Sequence, residues 1–411
     1  MVKPQTIKYF LWAGCVFSVL IFAMYSYTHV PRLTEGYAAY YKFSRVLVEG
    51  KNIGALYDST ALNNPIYDYG IKKYDVLFNP PTSALALAPF AYMNAYDARI
   101  SWSIVLIIAF LCAIYVLFRI YSVSWRTNVG IGLLALLFVW YPSYINVRFA
   151  QIYFLLLFLF AISLYGIKNR RPFLTAIPIA LALLLKGYGV VPLLWLLYNK
   201  RWREAAISIG FVVIAIAATL PLLGTDSWIA FYNTVFLNLG KMPCEAQVAY
   251  QDINGFMMHL FLYNKDWSPF PIFVLPETVV FSISAILNIS AIGATIALSS
   301  KTRNNVLSYA LAIAVGVITS PLSFEHHYVL FLPLVIGLIA EFSDKDVHTP
   351  PNKTTILLLA AILLMALPLH YADLQTASAP LILLAYPKLY AGLAILLITL
   401  TSRRLINAPA G

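Results

Sequence analysis

Apolar runs recur from one end of the chain to the other, at about residues 9–29, 100–120, 127–145, 151–167, 205–223, 277–299, 305–322, 328–342, 355–371 and 384–401. Each approaches the roughly 20 residues that a helix needs to cross about 30 Å of hydrocarbon, so the pattern predicts a series of membrane crossings. Residues 172–198 lie between the basic clusters Lys168/Arg170/Arg171 and Lys200/Arg201/Arg203, which places both of their ends on the same side and requires a hairpin. Lys186-Gly187 supplies a polar, flexible break in its middle. Two half-helices follow from that break, for about 10–12 transmembrane helices in all.

Between the apolar runs lie two long loops, 30–99 and 224–276, rich in Tyr, Trp, Phe, Asn and Pro. Their aromatic content suits the headgroup layer. Residues 80–93 are too short to span and open with Asn79-Pro80-Pro81, which predicts a re-entrant or interfacial helix.

With 61% hydrophobic and 11% charged residues, a water-soluble fold is excluded and 1–411 reads as a single integral membrane domain. The net charge of +11 raises nucleic acid as a partner, but the basic residues sit at the ends of apolar spans, where they orient a membrane protein. Lys3, Lys8, Arg119, Arg126, the two clusters around 170 and 201, Lys301, Arg303, Lys345, Lys353, Arg403 and Arg404 face only Glu204, Glu341, Asp344 and Asp346 on the same side. That side is therefore cytoplasmic, with both termini, in a cell or plasma membrane, and both long loops are outside. The first span lacks a small-x-small cleavage signal before Pro31 and reads as a retained helix. Cys15, Cys112 and Cys244 give no disulfide framework.

The polar residues with chemical potential gather at the outer boundary. Glu35 stands just beyond the first helix, where a carboxylate either acts as a base or is an ordinary loop acid, and Arg45, Asp58 and Asn79 follow in the same loop. Arg148 and Gln151 lie at a helix junction, and Lys186 sits inside the apolar hairpin, an expensive position unless it snorkels or binds something anionic. Gln251 and His259 mark the second loop, and Glu325-His326-His327 forms the densest polar cluster. Adjacent histidines on a helix point about 100° apart and no HExxH spacing exists, so no metal is expected. No P-loop or Rossmann fingerprint appears, and no cofactor is expected. An activated group would then arrive outside the cell on a lipid phosphate.

Six segments, in order, carry a resemblance: GYAAYYKFSRVLVEG, NPPTSALALAPFAYMNAYDAR, RFAQIYFLLL, ALALLLKGYGVVPLLWLLYNKRWR, AYQDINGFMMHLF and SPLSFEHHYVLFLPL. Together they resemble the membrane glycosyltransferases of family 87, related to polyprenyl-phosphate-mannose-dependent mannosyltransferases. The resemblance implies a GT-C-type fold and inverting transfer of a sugar, mannose or another hexose or pentose, from a polyprenyl-phosphate donor. The acceptor would be a lipid-linked or cell-envelope glycan, and loops 30–99 and 224–276 would contribute to an outward-facing active site. It implies donor-phosphate contacts at Arg148, Gln151 and Lys186, and lining roles for His259, Glu325, His326 and His327, with Arg45, Asn79 and Gln251 as further substrate-binding candidates. In family 87 an Asp commonly stands directly before the aromatic that aligns with Tyr37. This chain has Gly36 there and Glu35 one residue earlier, leaving Glu35 as the first candidate base and Asp58 as the second. The competing readings are a transporter or flippase of lipid-linked glycans, which would show paired repeats and a polar path across the membrane, and a non-catalytic envelope scaffold.

Overall fold

The computed structural model describes residues 4–58, 65–71, 78–302, 304–343 and 353–402. Lys3, Arg303, Asp344, Lys345, Asp346, Arg403 and Arg404 of the charge argument lie outside the described residues. The chain is all-α. Its helices are α1 (Pro4–His29), α2 (Glu35–Val48), α3 (Ala95–Ile120), α4 (Asn128–Val139), α5 (Tyr141–Phe149), α6 (Tyr153–Lys168), α7 (Pro172–Lys186) and α8 (Val190–Tyr198). There follow α9 (Trp202–Leu223), α10 (Thr225–Phe231), α11 (Ile253–Phe261), α12 (Glu277–Ser299), α13 (Asn305–Thr319), α14 (Leu332–Ser343), α15 (Lys353–Ala366) and α16 (Pro387–Thr401).

Four of these helices, α1, α3, α9 and α12, are long and apolar enough to cross a membrane alone, and so is the continuous run Glu325–Phe342, whose first part is the 3-10 segment Glu325–Phe331. α4 and α5 form a sixth span bent by 42°. Pro142 near the start of α5 explains the bend, because it has no N–H to give the preceding turn. α6, α7, α13, α15 and α16 are apolar but shorter.

Burial sorts the helices into layers. Every residue of α13 from Leu307 to Thr319 is buried, and an α-helix apolar on all sides belongs at the centre of a bundle. α6 packs between α3 and α7, α9 closes on α7, and α15 pairs with α16. Long faces of α1, α9 and α12 stay open to the surroundings, as lipid-facing helices require.

The hairpin at 172–198 forms as α7 and α8, parted at Gly187, whose φ of +76° closes α7 in the left-handed conformation that glycine adopts at least cost. Residues 80–93 differ from expectation. Instead of one helix they make a 3-10 turn Pro81–Ser83, a single α turn Ala84–Leu87 and a second 3-10 turn Ala88–Phe90. Pro89 withholds a donor from any continuous helix. The run is docked, with Ser44 Oγ donating to Ala84 O at 2.6 Å and Thr82 Oγ1 donating to Leu184 O.

Candidate functional site

One end of the bundle gathers the start of α3, the end of α5, the start of α6, the end of α7 and the segment before α14. Arg99, wholly buried on the first turn of α3, organises it. Its Nε donates to Arg32 O at 3.2 Å, and its Nη2 donates to Val147 O at 2.9 Å and Arg148 O at 2.8 Å. One guanidinium thus ties the α1–α2 connection to the end of α5. Trp102, one turn on, donates its indole N–H to Ala150 O at 3.1 Å. Ala150 is left-handed at φ +45°, a strained conformation for alanine that this clamp holds in place.

The turn so fixed presents Gln151 to α2. A Cβ at Gly36 would lie 2.2 Å from Gln151 Nε2 and 3.3 Å from Phe149 Cβ, so only glycine admits the amide there. Gln151 Oε1 is buried without a hydrogen-bond partner among the described residues. Gly36→Ala should therefore destabilise the protein by about 1–3 kcal/mol through overpacking. Adding Gln151→Ala should restore most of the loss, as thermal unfolding of both variants and the double variant would show.

Beyond Gln151, α6 begins at Tyr153, which stacks on the His327 ring at 4.0 Å and meets His326 edge-on at 5.1 Å. Lys186, the last residue of α7, lies with Nζ 5.7 Å from the centres of both the Tyr40 and Tyr153 rings. The negative faces of two rings suit an ammonium group at roughly 0.5–2 kcal/mol each. His327 Nδ1 is 2.6 Å from Tyr188 Oη and 3.2 Å from Ser323 Oγ, which orients that imidazole. His326 Nδ1 is buried and has no hydrogen-bond partner among the described residues. Phe324 and His326 stack at 5.5 Å, and Asn146 Nδ2 donates to His326 O at 2.7 Å.

A second loop braces this group. Asp252 caps α11 by accepting from Gly255 N at 2.8 Å, and its other oxygen accepts from Ser323 N at 2.8 Å. Gln251 N donates back to Ser323 O at 2.8 Å. Burial pushes the Asp252 carboxyl from 3.8 up to about 7 against those backbone bonds. Glu245 beside it rises from 4.5 to about 8, through burial first and the charge of Asp252 second. The folded chain therefore holds protons that the unfolded chain has already released, and the associated stability is present below the ordinary carboxyl range and lost as pH climbs through the raised values. The thermal midpoint should fall between about pH 5 and about pH 9, and Glu245→Gln should remove the upper part of that slope.

The other sequence candidates fall into three settings. Gln251 is satisfied internally, with Nε2 donating to Val248 O and Ala385 O and Oε1 accepting from Lys388 N. His259 faces Gln375 O at 3.1 Å on α11. Glu325 forms a buried ion pair with Lys388 at 2.9 Å and accepts from Tyr371 Oη at 3.1 Å. Arg45 joins an open cluster on the far side of α2, bonding Glu49 at 2.7 Å and Ala91 O at 2.7 Å. In that cluster burial opposes ionisation of Glu49, but bonds from Lys51, Tyr69 and Arg45 outweigh it and hold its pKa at about 2. Asn79 is buried and its carbonyl accepts from Tyr57 Oη at 2.7 Å. Asp58 is exposed at the end of the 3-10 turn Ile53–Tyr57. Arg148 is exposed, its guanidinium 5.3 Å from the centre of the Phe149 ring.

The structure thus brings Gln151, Lys186, His326 and His327 together, with Glu35 one residue before Gly36, while Arg45 and His259 are engaged in contacts of their own. Arg99, Asp252, Tyr153 and Lys388 were not singled out as site residues from the sequence. Arg99 and Asp252 do lie within conspicuous segments, NAYDAR and AYQDING. No group of three His, Cys, Asp or Glu side chains with metal-binding geometry occurs among the described residues.

The chain is 22% identical over 280 residues to the polyprenol-phosphate-mannose-dependent alpha-(1-2)-phosphatidylinositol mannoside mannosyltransferase of Mycobacterium tuberculosis, covering 63% of this chain and 61% of that protein. It is 24% identical over 287 residues to the protein of the same description in Mycolicibacterium smegmatis, covering 65% and 63%. The chain thus matches under two thirds of the length of either relative. No solved structure matches it. The sequence profile of glycosyltransferase family 87 matches residues 77–322, well over half of the chain, and the protein belongs to that family.

Proposed function

We propose that the protein transfers a sugar, in the first instance mannose, from a polyprenyl-phosphate donor to a hydroxyl of a lipid-linked or envelope glycan, at the outer face of the membrane and with inversion. The observation that carries this reading is Lys186, a cation at a helix break over the rings of Tyr40 and Tyr153, with two buried histidines behind it. A cation at a helix break in an apolar bundle attracts an anionic ligand, and a lipid phosphate reaches it without leaving the bilayer. Both relatives bear names that specify polyprenol-phosphate-mannose.

In the reaction, a carboxylate takes the proton of the acceptor hydroxyl as its oxygen bonds to the anomeric carbon. The bond from that carbon to the phosphate oxygen breaks, and the departing polyprenyl phosphate keeps the electron pair. Lys186 offsets the charge that grows on the phosphate, the point where a fixed cation lowers the barrier most. Gln151 and His326, each with a buried polar atom that has no hydrogen-bond partner among the described residues, are suited to hold hydroxyls of the sugar. Glu35 is favoured as base by its place next to Gly36 and the Gln151 amide.

The polar groups of the candidate site, Lys186, Gln151, His326 and His327, collect at one end of the bundle, which favours an enzyme over a transporter. Purified protein supplied with radiolabelled polyprenyl-phosphate mannose and a membrane glycan acceptor should yield labelled acceptor, whereas a nucleotide sugar should not. Transfer from the nucleotide sugar alone would refute the donor assignment.

A further inference from the structure

At the opposite end of the bundle lies a cavity of about 640 Å³, lined by Lys168, Arg170, Arg201, Tyr121, Asn304 and Glu341 among others. α6 runs from Tyr153 at the candidate site to Lys168 at the cavity, a rise of about 22 Å, so the two are separate.

Basic residues at a membrane boundary are ordinary, but three features set these apart. First, among the described residues three cations and one carboxylate share a single concavity, and that carboxylate, Glu341, already accepts from Asn304 Nδ2 at 3.1 Å. Second, two helices of adequate length start there. Thr127 caps α4 by accepting from Gly130 N at 3.1 Å, and Asn304 caps α13 by accepting from Leu307 N at 3.0 Å, so two positive helix ends face the same space. Third, Tyr121 Oη is buried there with no partner among the described residues.

The backbone around the cavity carries a related cost. Ser122, Arg170 and Lys200 are all left-handed, at φ +54°, +54° and +56°, each just past a helix C-terminus. The bonds Val123 N to Phe118 O, Arg171 N to Gly166 O and Arg201 N to Leu196 O close all three ends in the pattern that normally selects glycine. At two of the three positions a cation occupies the glycine place. Lys168 Nζ spends one donor on Ile120 O and keeps two. Arg201 has its guanidinium carbon 5.6 Å from the centre of the Trp195 ring and makes a long 3.4 Å contact with Glu204.

We propose that this cavity is a second ligand site, binding a phosphate-bearing anion through Arg170, Lys168 and Arg201. The shared chemistry is a phosphate oxygen set against guanidinium and ammonium donors, whether it comes from an anionic phospholipid headgroup or from a soluble phosphate.

Arg170→Gly separates binding from folding. Glycine takes the left-handed position without strain, so the thermal midpoint of this variant should equal or exceed that of the wild type. Sugar transfer should be unchanged, because Arg170 lies at the other end of the molecule. Binding should weaken by about tenfold or more, the loss expected for one charge-assisted hydrogen bond. The full chain, delipidated in detergent, is titrated with phosphatidylglycerol by native mass spectrometry and with inorganic phosphate by thermal shift, alongside Arg170→Gly and Lys168→Gln. Saturable binding of either probe that is weakened in both variants supports the site, and the probe that binds identifies the source. Equal binding by wild type and Arg170→Gly, or binding of neither probe by folded wild type, overturns it.

Discussion

Replacing Lys186 with Gln should lower the rate of sugar transfer by about 10²–10³-fold, the range seen when one preorganised group stabilising a transition-state charge is removed. Lys186 ends α7 at a glycine break and lies over Tyr40 and Tyr153. The neutral variant is one atom shorter, and it exchanges the desolvation cost of a cation for the loss of the two ring contacts. Its thermal midpoint should therefore move little while turnover collapses. Lys186→Arg should restore part of the rate, since it returns the charge with a different shape. A lysine with a merely structural role would give the reverse pattern, a lower midpoint with turnover near that of the wild type. Steady-state kinetics and a thermal melt on the same preparations distinguish the two.

The second large effect concerns the base. Glu35→Gln should reduce turnover by about 10²–10⁴-fold, the usual contribution of general base catalysis, with little change in donor affinity. Asp58→Asn should stay within about twofold of the wild type, because Asp58 is exposed at the end of the 3-10 turn Ile53–Tyr57. Glu35 opens α2, where a carboxylate is compatible with the positive end of the helix. Gly36 beside it leaves the space that Gln151 fills, so a carboxylate at 36 would displace that amide. Full activity in Glu35→Gln with a deep loss in Asp58→Asn would exchange the two assignments.

Much of the fold was legible because hydrocarbon imposes a length on helices and leaves a plain signal. The span 277–299 matches α12 residue for residue, and the hairpin at 172–198 was visible from flanking charges and Lys186-Gly187. The basic clusters around 119–126, 168–171 and 200–203 do collect at one end of the bundle. The broken run at 80–93 was harder to read, since apolar content says nothing of whether each turn is α or 3-10 once Pro81 and Pro89 have removed donors.

The site was legible where a polar residue interrupts an apolar run, as at Lys186 and His326-His327. It was opaque where function depends on contacts between distant segments. Arg99 looks like an ordinary interfacial cation at the head of a span, and only the fold aims it at Val147 and Arg148. Asp252 reads as a simple helix cap until Ser323, 71 residues on, donates to its second oxygen. Lys388 opens an apolar helix and meets Glu325 from 63 positions away. Local pattern cannot report such pairs.

The most direct measurement is a structure of the full chain with a non-hydrolysable polyprenyl-phosphate mannose analogue in a lipid nanodisc. The phosphate should sit within hydrogen-bond reach of Lys186 Nζ, the sugar should lie between Gln151 and His326, and Glu35 should face the anomeric carbon from the side opposite the phosphate. A phosphate seated instead against Arg45, or in the basic cavity by Lys168, with the Lys186 region empty, would contradict the account.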